Sequence, residues 1–240
     1  MRQKVVTVLL IIFVILTLIS SLLLYYTHQL PTERESVVTL YTYGHYGTFN
    51  YIAILKPNTI YGKTTLEPGE GPVFIRITDG INVSFTYNFQ GDGPANLTLR
   101  YYVSEYLETP IWQRKIGEVQ QKTITLTETN ASLDIRDIPP IEISSVQTLA
   151  NILSQETGMT ITQYNVTTTV QIDIEANTTG GSINELFTPK LTMSFTSSFA
   201  QGDVVTIEGI QNLKTGEITS TDTIYQPEVE TQRLVSYALS

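Results

Sequence analysis

The chain has 240 residues, with 14 Lys and Arg against 23 Asp and Glu, and a net charge of −9. This acidic balance argues against nucleic acid and against an anionic membrane face as binding partners. The sequence contains no cysteine, which excludes disulfides and thiol chemistry.

The first predicted element is a transmembrane helix over residues 5–26, an apolar run with no charge between Lys4 and Glu33. Such a helix is about 33 Å long, enough to cross the hydrocarbon core of a bilayer. Positive charge precedes the run and no net positive charge follows it, so residues 1–4 are predicted to be cytoplasmic and the rest extracytoplasmic. A cleaved secretory signal is the alternative, but the run is longer than an ordinary signal core and lacks a small-residue cleavage pattern.

A polar linker over residues 27–36 leads into chain in which polar and apolar residues alternate. Strands are predicted over residues 37–43 and 50–55, separated by a glycine-flanked turn that contains His45. Threonine is abundant from here onward, and it favours strands.

The clearest hairpin signal is Asp79-Gly80, a pair that favours a two-residue turn between strands at 72–78 and 81–89. The second of these strands alternates apolar and polar side chains, which predicts one core face and one solvated face. A second turn is predicted at 91–94, before a strand at 97–105.

Residues 145–156 interrupt the β pattern, because their apolar residues recur at helical spacing and Gly158 follows them. A short helix is therefore predicted there. Beyond it, further strands are predicted over residues 160–176, 187–199, 203–211, 216–225 and 231–239.

The C-terminal strand over residues 231–239 has Val235, Tyr237 and Leu239 on one face. It is predicted to close an edge of its own sheet. Addition to a neighbouring molecule's sheet is the alternative.

These elements predict a mainly β fold: an antiparallel β-sandwich with one short helix, preceded by the transmembrane helix. The sandwich is predicted to occupy residues 37–240 as one extracytoplasmic domain. A boundary within it would fall near residues 140–158, at the helix.

No catalytic signature is present around the two histidines. His28 lies at the predicted membrane boundary, and His45 is predicted to lie in an exposed turn. The sequence has no G-x-S-x-G motif, no His/Cys metal spacing and no calcium-loop pattern. It therefore predicts no catalytic residue, no metal site and no cofactor.

Two pairs of carboxylates have the residue types that a glycosidase mechanism requires. Asp134 and Asp137 flank Arg136, which indicates a local salt bridge, and Asp173 and Glu175 lie on the solvated face of a predicted strand. We predict that the protein is not an enzyme. A cell-surface hydrolase with an unrecognised site is an alternative.

Tyrosine is dense between residues 41 and 106. Strand tyrosines are usually half-buried, so a core role is the favoured interpretation. A contact surface for carbohydrate or protein is the alternative.

The chain has five N-x-[ST] acceptor sequences for N-glycosylation, which are usable only if the domain is exported. The alternative is that a threonine-rich chain forms such sequences by accident. The five predicted sites are Asn82, Asn96, Asn130, Asn165 and Asn177.

Four runs resemble a known family: YTYGHYGTFNYIAILKPNTIYG at 41–62, INVSFTYNF at 81–89, LRYYVSEYLETPIW at 99–112 and the helix-and-strand run at 144–174. They are similar to the archaeal and bacterial family catalogued as domain of unknown function 5305, over about residues 37–225. The resemblance implies a membrane-anchored extracytoplasmic β protein that accompanies signal-peptidase-like and surface-filament proteins. It carries over no catalytic residue.

The sequence thus predicts a single-pass protein of the cell membrane that acts by binding or by structure at the cell envelope. Its predicted partners are the bilayer, through residues 5–26, and an envelope or exported protein whose assembly or processing it assists. A structural subunit of a surface layer or filament is the alternative.

Overall fold

The computed structural model describes residues 2–159, 161–198 and 202–239. Thr160 and Phe199, at the ends of two predicted strands, lie outside them. The described chain is mainly β with antiparallel pairing, so the predicted fold class is confirmed. The elements are α1 (Arg2–Gln29), β1 (Glu33–Leu55), β2 (Thr65–Leu66), β3 (Val73–Phe74), a 3-10 turn (Ile75–Ile77), β4 (Thr78–Thr109), β5 (Trp112–Ile135), β6 (Ile141–Glu142), α2 (Ile143–Thr157), β7 (Gln163–Thr178), β8 (Gly181–Phe187), β9 (Lys190–Ser198), β10 (Gly202–Glu208), β11 (Gln211–Tyr225) and α3 (Pro227–Leu239).

The chain forms two compact units. The anchor unit comprises residues 1–39 and 219–240, which hold α1, α3, the start of β1 and the end of β11. The β unit comprises residues 40–218, which hold the rest of the sheet and α2.

Strand β4 organises the β unit. Its first part pairs with β1 and its second part with β7, while β5 pairs along the opposite side of both parts. Beyond β7 the sheet continues through β9, β10 and β3. A sheet connected in this way approaches a barrel and is compatible with the predicted β-sandwich.

The core is built from the inward-facing residues of these strands. In β4 the alternation predicted for residues 81–89 is observed, with every odd-numbered side chain buried. Each large apolar side chain buried in this way contributes about 1.5–3 kcal/mol. The largest fully buried side chains are Tyr41, Tyr87, Phe49, Phe85, Phe89, Phe195, Leu66, Ile81, Leu97, Leu99, Leu107 and Ile135.

The turn predicted around His45 is wrong, because β1 runs without a break through this segment. Its glycines make room for aromatic rings rather than reversing the chain. A Cβ atom on Gly47 would lie 2.9 Å from the ring of Phe85 and 3.1 Å from that of Phe187. Aromatic side chains packed over strand glycines replace the contacts that a glycine cannot make.

The hairpin predicted at Asp79-Gly80 is also wrong. The chain turns earlier, at the 3-10 turn, and Gly80 already pairs with Ile54 of β1 and Glu142 of β6. The turn predicted at 91–94 is an irregularity inside β4, where the register to β5 shifts between Gln90 and Ala95. Both segments are therefore parts of one long strand.

The short helix predicted over 145–156 is confirmed as α2. Gly158 ends it in the left-handed conformation, with φ of 70°, and its N–H bonds the carbonyl of Ser154. Left-handed glycines are a common helix stop.

The C-terminal strand predicted over 231–239 is wrong, because this segment belongs to helix α3. Pro227 stands at the first helical position, and Glu228 and Glu230 lie in the first turn. Proline and acidic residues both favour a helix N-terminus. The helix signal therefore outweighed the strand-like alternation in the same residues.

Helix α1 contains the apolar segment Val5–Gln29, which is long and apolar enough to cross a membrane and leaves its most apolar stretch unburied by protein. A signal sequence has the same properties. In the described residues this is the one helix that meets these criteria. The predicted N-terminal apolar helix is thus confirmed as a membrane-anchor or signal helix.

Candidate functional site

The polar side chains whose pKa values change most in the β unit are His45 and groups around it. We define the His45 cluster as Tyr43 and His45 of β1, Tyr87 of β4, Glu185 of β8 and Lys214 of β11. His45 and Tyr87 are both 0% exposed. The sequence prediction of an exposed histidine is therefore wrong, since residue 45 points inward from a continuous strand.

Short polar contacts link the side chains of the cluster in a chain. The Tyr87 hydroxyl lies 2.7 Å from His45 Nδ1, and His45 Nε2 lies 3.4 Å from Glu185 Oε2. Glu185 also accepts a hydrogen bond of 2.9 Å from the Tyr43 hydroxyl and forms an ion pair with Lys214 at 2.9 Å. This arrangement suits a neutral imidazole that accepts from Tyr87 and directs an Nε2–H toward the carboxylate.

Burial sets the charges of the cluster. It lowers the pKa of His45 to about 4, against the opposing effect of Glu185, so the imidazole is neutral at pH 7. Burial alone would raise the pKa of Glu185, but hydrogen bonds from Lys214 and Tyr43 bring it below its ordinary value. Burial raises the pKa of Tyr43 to about 12, and the hydrogen bond and negative charge of Glu185 contribute in the same direction. The cluster therefore holds one carboxylate, one ammonium and three neutral groups.

A Tyr–His–Glu chain has the order of a catalytic proton relay. Here, however, the rings of Phe89 and Phe187 pack against His45, and His45 and Tyr87 have no exposed surface, whereas the side chain of Glu185 is 25% exposed. The cluster joins β1, β4, β8 and β11 through one set of polar contacts, and its outer members Tyr43, Glu185 and Lys214 reach the surface.

We expect replacement of His45 by Phe to change how stability depends on pH. The unfolded histidine binds a proton below about pH 6.5, whereas the folded one resists protonation down to about pH 4. The wild type should therefore lose about 3 kcal/mol relative to His45→Phe as the pH falls through this window. Urea unfolding of the full chain in detergent, followed by Trp112 fluorescence, measures the difference.

Tyr87→Phe is the matched control for this measurement. It removes the hydrogen bond to His45 but keeps the imidazole, so it should destabilise the protein by roughly 1–3 kcal/mol and keep the pH slope. Parallel stability curves for the wild type and His45→Phe between pH 4 and 7 would contradict the assignment.

A second buried ionisable group is Glu105 of β4, which is 2% exposed. Its burial raises the pKa of this carboxyl to about 7, although a hydrogen bond of 3.2 Å from Thr168 opposes the shift. The carboxyl lies against Gly117 of β5, where a Cβ atom would overlap it. Strand parity could have revealed this residue, because Glu105 stands on the inward face between Val103 and Leu107.

The carboxylate pairs considered from sequence lie at the surface. Asp134 accepts hydrogen bonds from Thr86 at 2.8 Å and from Arg136 at 3.1 Å, which confirms the predicted local salt bridge. Asp137 pairs with Lys122, and Glu175 pairs with a strand neighbour, Arg100. In the described residues, no group of three or more His, Asp or Glu side chains is placed to hold a metal ion.

The tyrosine-rich segment divides between core and surface. Tyr41, Tyr51, Tyr87 and Tyr101 are buried, which confirms the core interpretation for them. Tyr46 is exposed and lines an open groove of about 640 Å³. The other polar side chains of this groove are Thr42, Tyr43, Gln90, Asp92, Asn130, Thr215 and Glu217.

Four of the predicted glycosylation sites are exposed: Asn82, Asn96, Asn130 and Asn177. Two of these, Asn96 and Asn177, face each other across β4 and β7. Asn165 differs, because its side chain is half-buried and its Oδ1 atom is buried without a hydrogen-bond partner. Residues 166–168 that follow it are buried on both faces of β7, which explains the limited access.

No protein-family model and no curated protein sequence matches the chain. A crystal structure of a protein from Archaeoglobus fulgidus is similar over 50% of this chain and 88% of its own, with 10% sequence identity and a TM-score of 0.29. This likeness is too low to carry a functional argument. The resemblance to domain of unknown function 5305 therefore remains a prediction from sequence.

Proposed function

We propose that this protein is a single-pass membrane protein whose β unit lies outside the cytoplasm and acts in binding or structure at the cell envelope. The observation that carries the proposal is the apolar surface of α1, whose most apolar stretch no other part of the described chain covers. Side chains such as Phe13 and Leu22 are each 71% exposed. A bilayer would remove this surface from water.

The charge distribution supports the orientation. Arg2 and Lys4 precede the apolar segment, and Glu33, Arg34 and Glu35 follow it without net positive charge. Cytoplasmic flanks carry the excess of Lys and Arg in single-pass proteins. The outer part is acidic, which suits a soluble exported domain that keeps clear of anionic lipid.

An open groove of about 640 Å³ on the described β unit supports a role in binding. The unit's buried titratable groups, His45 and Glu105, have almost no exposed surface, although Glu105 lines a second cavity of about 400 Å³. We propose that the protein assists the assembly or processing of exported surface proteins. Glycans on the exposed asparagines Asn82, Asn96, Asn130 and Asn177 would mark the unit as exported.

The test of this proposal is membrane extraction of the full chain expressed in a prokaryotic host. We expect the protein to stay with membranes after an alkaline wash and external protease to digest the β unit in intact spheroplasts. The variant Leu10→Lys/Leu16→Lys should partition into the soluble fraction, because each central Lys costs about 3 kcal/mol on insertion. The control Leu10→Ala/Leu16→Ala should remain in the membrane.

Mass spectrometry of the purified protein completes the test. Retention of residues 1–26 supports an anchor, and the same spectrum reports attached sugars. A mature chain that lacks these residues would contradict the anchor and favour a secreted or filament-forming subunit. Full-length protein in the cytosol without detergent would contradict the whole proposal.

A further inference from the structure

Helix α3 carries an apolar stripe that the described part of the anchor unit leaves uncovered. Thr231, Leu234, Val235 and Ala238 follow the i, i+3, i+4, i+7 spacing that places side chains on one helix face. All four are exposed, Leu234 by 65% and Val235 by 53%. The opposite face carries Arg233 and the buried hydroxyl of Ser236, together with the buried side chain of Val229. Helix α3 is therefore amphipathic.

The polar face of α3 is fixed to the end of α1. Arg233 donates to the carbonyl oxygens of Thr27 at 3.1 Å, His28 at 3.2 Å and Leu30 at 2.7 Å. The last carbonyls of a helix have no partner within it, so one guanidinium satisfies three of these acceptors. A cation at a helix C-terminus is also favoured by the helix dipole.

A second contact fixes the rotation of α3 about its own axis. The hydroxyls of Thr27 and Ser236 are 3.1 Å apart, and both residues are buried. With Arg233 and Ser236 turned toward α1, Leu234 and Ala238 turn away from it, while Val235 lines a groove with Leu23 and Tyr26 of α1. The stripe thus sits at the level of the last turns of α1 and faces outward.

We propose that α3 is an interfacial helix whose stripe of Leu234, Val235 and Ala238 lies in the outer leaflet, at the boundary between headgroups and acyl chains. This inference rests on the proposed function, because it takes α1 as the membrane span. The end of a spanning helix lies at the membrane surface, and α3 is bonded to that end. Amphipathic helices in this position bury their apolar face by about 5–10 Å.

The bilayer fits this stripe better than a second copy of the chain does. The stripe is continuous with the apolar surface of α1, which the proposed function assigns to lipid. Its three apolar side chains offer far less than the roughly 800 Å² per partner that a stable dimer needs. The anchor unit would therefore hold the membrane through a span and a surface helix together, which limits its tilt.

Tryptophan quenching in vesicles tests the proposal. In a Trp112→Phe background of the full chain, single tryptophans are placed as Leu234→Trp or Ala238→Trp in the stripe. The protein is reconstituted into phosphatidylcholine vesicles whose acyl chains carry bromine near the headgroup end. We expect each stripe tryptophan to emit at shorter wavelength than in water and to lose roughly half of its emission to the bromolipid.

Asp222→Trp is the control within the same unit. Asp222 is exposed in β11. It lies four residues before Gln226, which immediately precedes α3, and four strand residues span about 13 Å. Its tryptophan should keep nearly all of its emission. Far-UV circular dichroism checks that each variant folds, and Ala238→Trp serves if Leu234→Trp does not.

The outcomes separate this inference from the proposed function. A Leu16→Trp variant in α1 reports the span itself and should be quenched by lipids brominated deep in the acyl chains. If Leu16→Trp is quenched but the stripe tryptophans are not, the interfacial helix is overturned and the span stands. Unquenched stripe emission at short wavelength would mean that a second copy covers the stripe. If Leu16→Trp is not quenched, both conclusions fall.

Discussion

Replacement of Glu105 by Gln is expected to stabilise the β unit by up to about 3 kcal/mol at pH 8 and to have little effect at pH 4. The folded carboxyl has a pKa of about 7, raised by burial from an ordinary value of 4.5. Between these values the folded state binds more protons than the unfolded state, so stability falls as the pH rises through the window. Gln cannot ionise, and it can still accept the hydrogen bond from Thr168.

Thermal unfolding of the detergent-solubilised full chain at several pH values measures this effect. A gain of 3 kcal/mol corresponds to a Tm increase of roughly 6–12 °C for a unit of this size. Glu108→Gln is the matched control, because Glu108 also accepts a threonine hydroxyl, that of Thr167 at 3.1 Å, but is only half-buried. An equal Tm change for Glu105→Gln at pH 4 and pH 8 would refute the buried ionisation.

The two buried titrating groups have opposite effects on stability. The contribution of His45 rises with pH between about 4 and 6.5, and that of Glu105 falls between 4.5 and about 7. The wild type should therefore have a flatter pH profile than either single variant. His45→Phe exposes the falling slope that Glu105 causes, and Glu105→Gln exposes the rising slope that His45 causes.

The features that could be predicted from sequence depend on local pattern. The apolar helix of α1, the alternation in residues 81–89 and the helix α2 with its Gly158 stop all follow from periodicity and end signals within a few turns or residues. These signals need no knowledge of distant partners. That is why the fold class, mainly β with one short helix after an apolar one, could be predicted.

The errors arose at glycines. Near His45, at Gly80 and at residues 91–94, glycine suggested chain reversal, but in each case the strand continues. At Gly47 the missing side chain is replaced by rings from residues 38 and 140 positions away, Phe85 and Phe187. A sequence pattern cannot distinguish a glycine that reverses the chain from one that admits a distant ring.

The candidate site was missed for the same reason. His45 is neutral because burial lowers its pKa against the opposing effect of Glu185, and both Glu185 and Lys214 reach it, on β8 and β11, from more than a hundred residues away. Helix α3 is a different case, since its proline, its acidic first turn and its helical spacing were all present in the sequence. The alternation of Val235 and Tyr237 fits a strand equally well, because the strand period of 2 and the helix period of 3.6 residues are hard to distinguish over a short segment.

Substitution of Gly209 by Ala is expected to destabilise the β unit by about 2–5 kcal/mol, because a backbone cost and a steric cost act at the same residue. Gly209 lies between β10 and β11 with φ of 83°, a conformation that costs other residues about 1–2 kcal/mol. A Cβ atom there would also overlap the carbonyl oxygen of Lys190. That carbonyl cannot move aside freely, because Lys190 pairs with Thr169 in the sheet.

Gly69→Ala separates the two costs. Gly69 has nearly the same backbone angle, with φ of 84°, but no atom lies within 4 Å of its Cβ position. It should therefore lose only the conformational cost of about 1–2 kcal/mol. Urea unfolding of both variants, followed by Trp112 fluorescence, gives the difference directly. If both variants lose the same free energy of unfolding, β9 must shift to accommodate the added methyl group. The close approach of Gly209 to the Lys190 carbonyl would then add no steric cost.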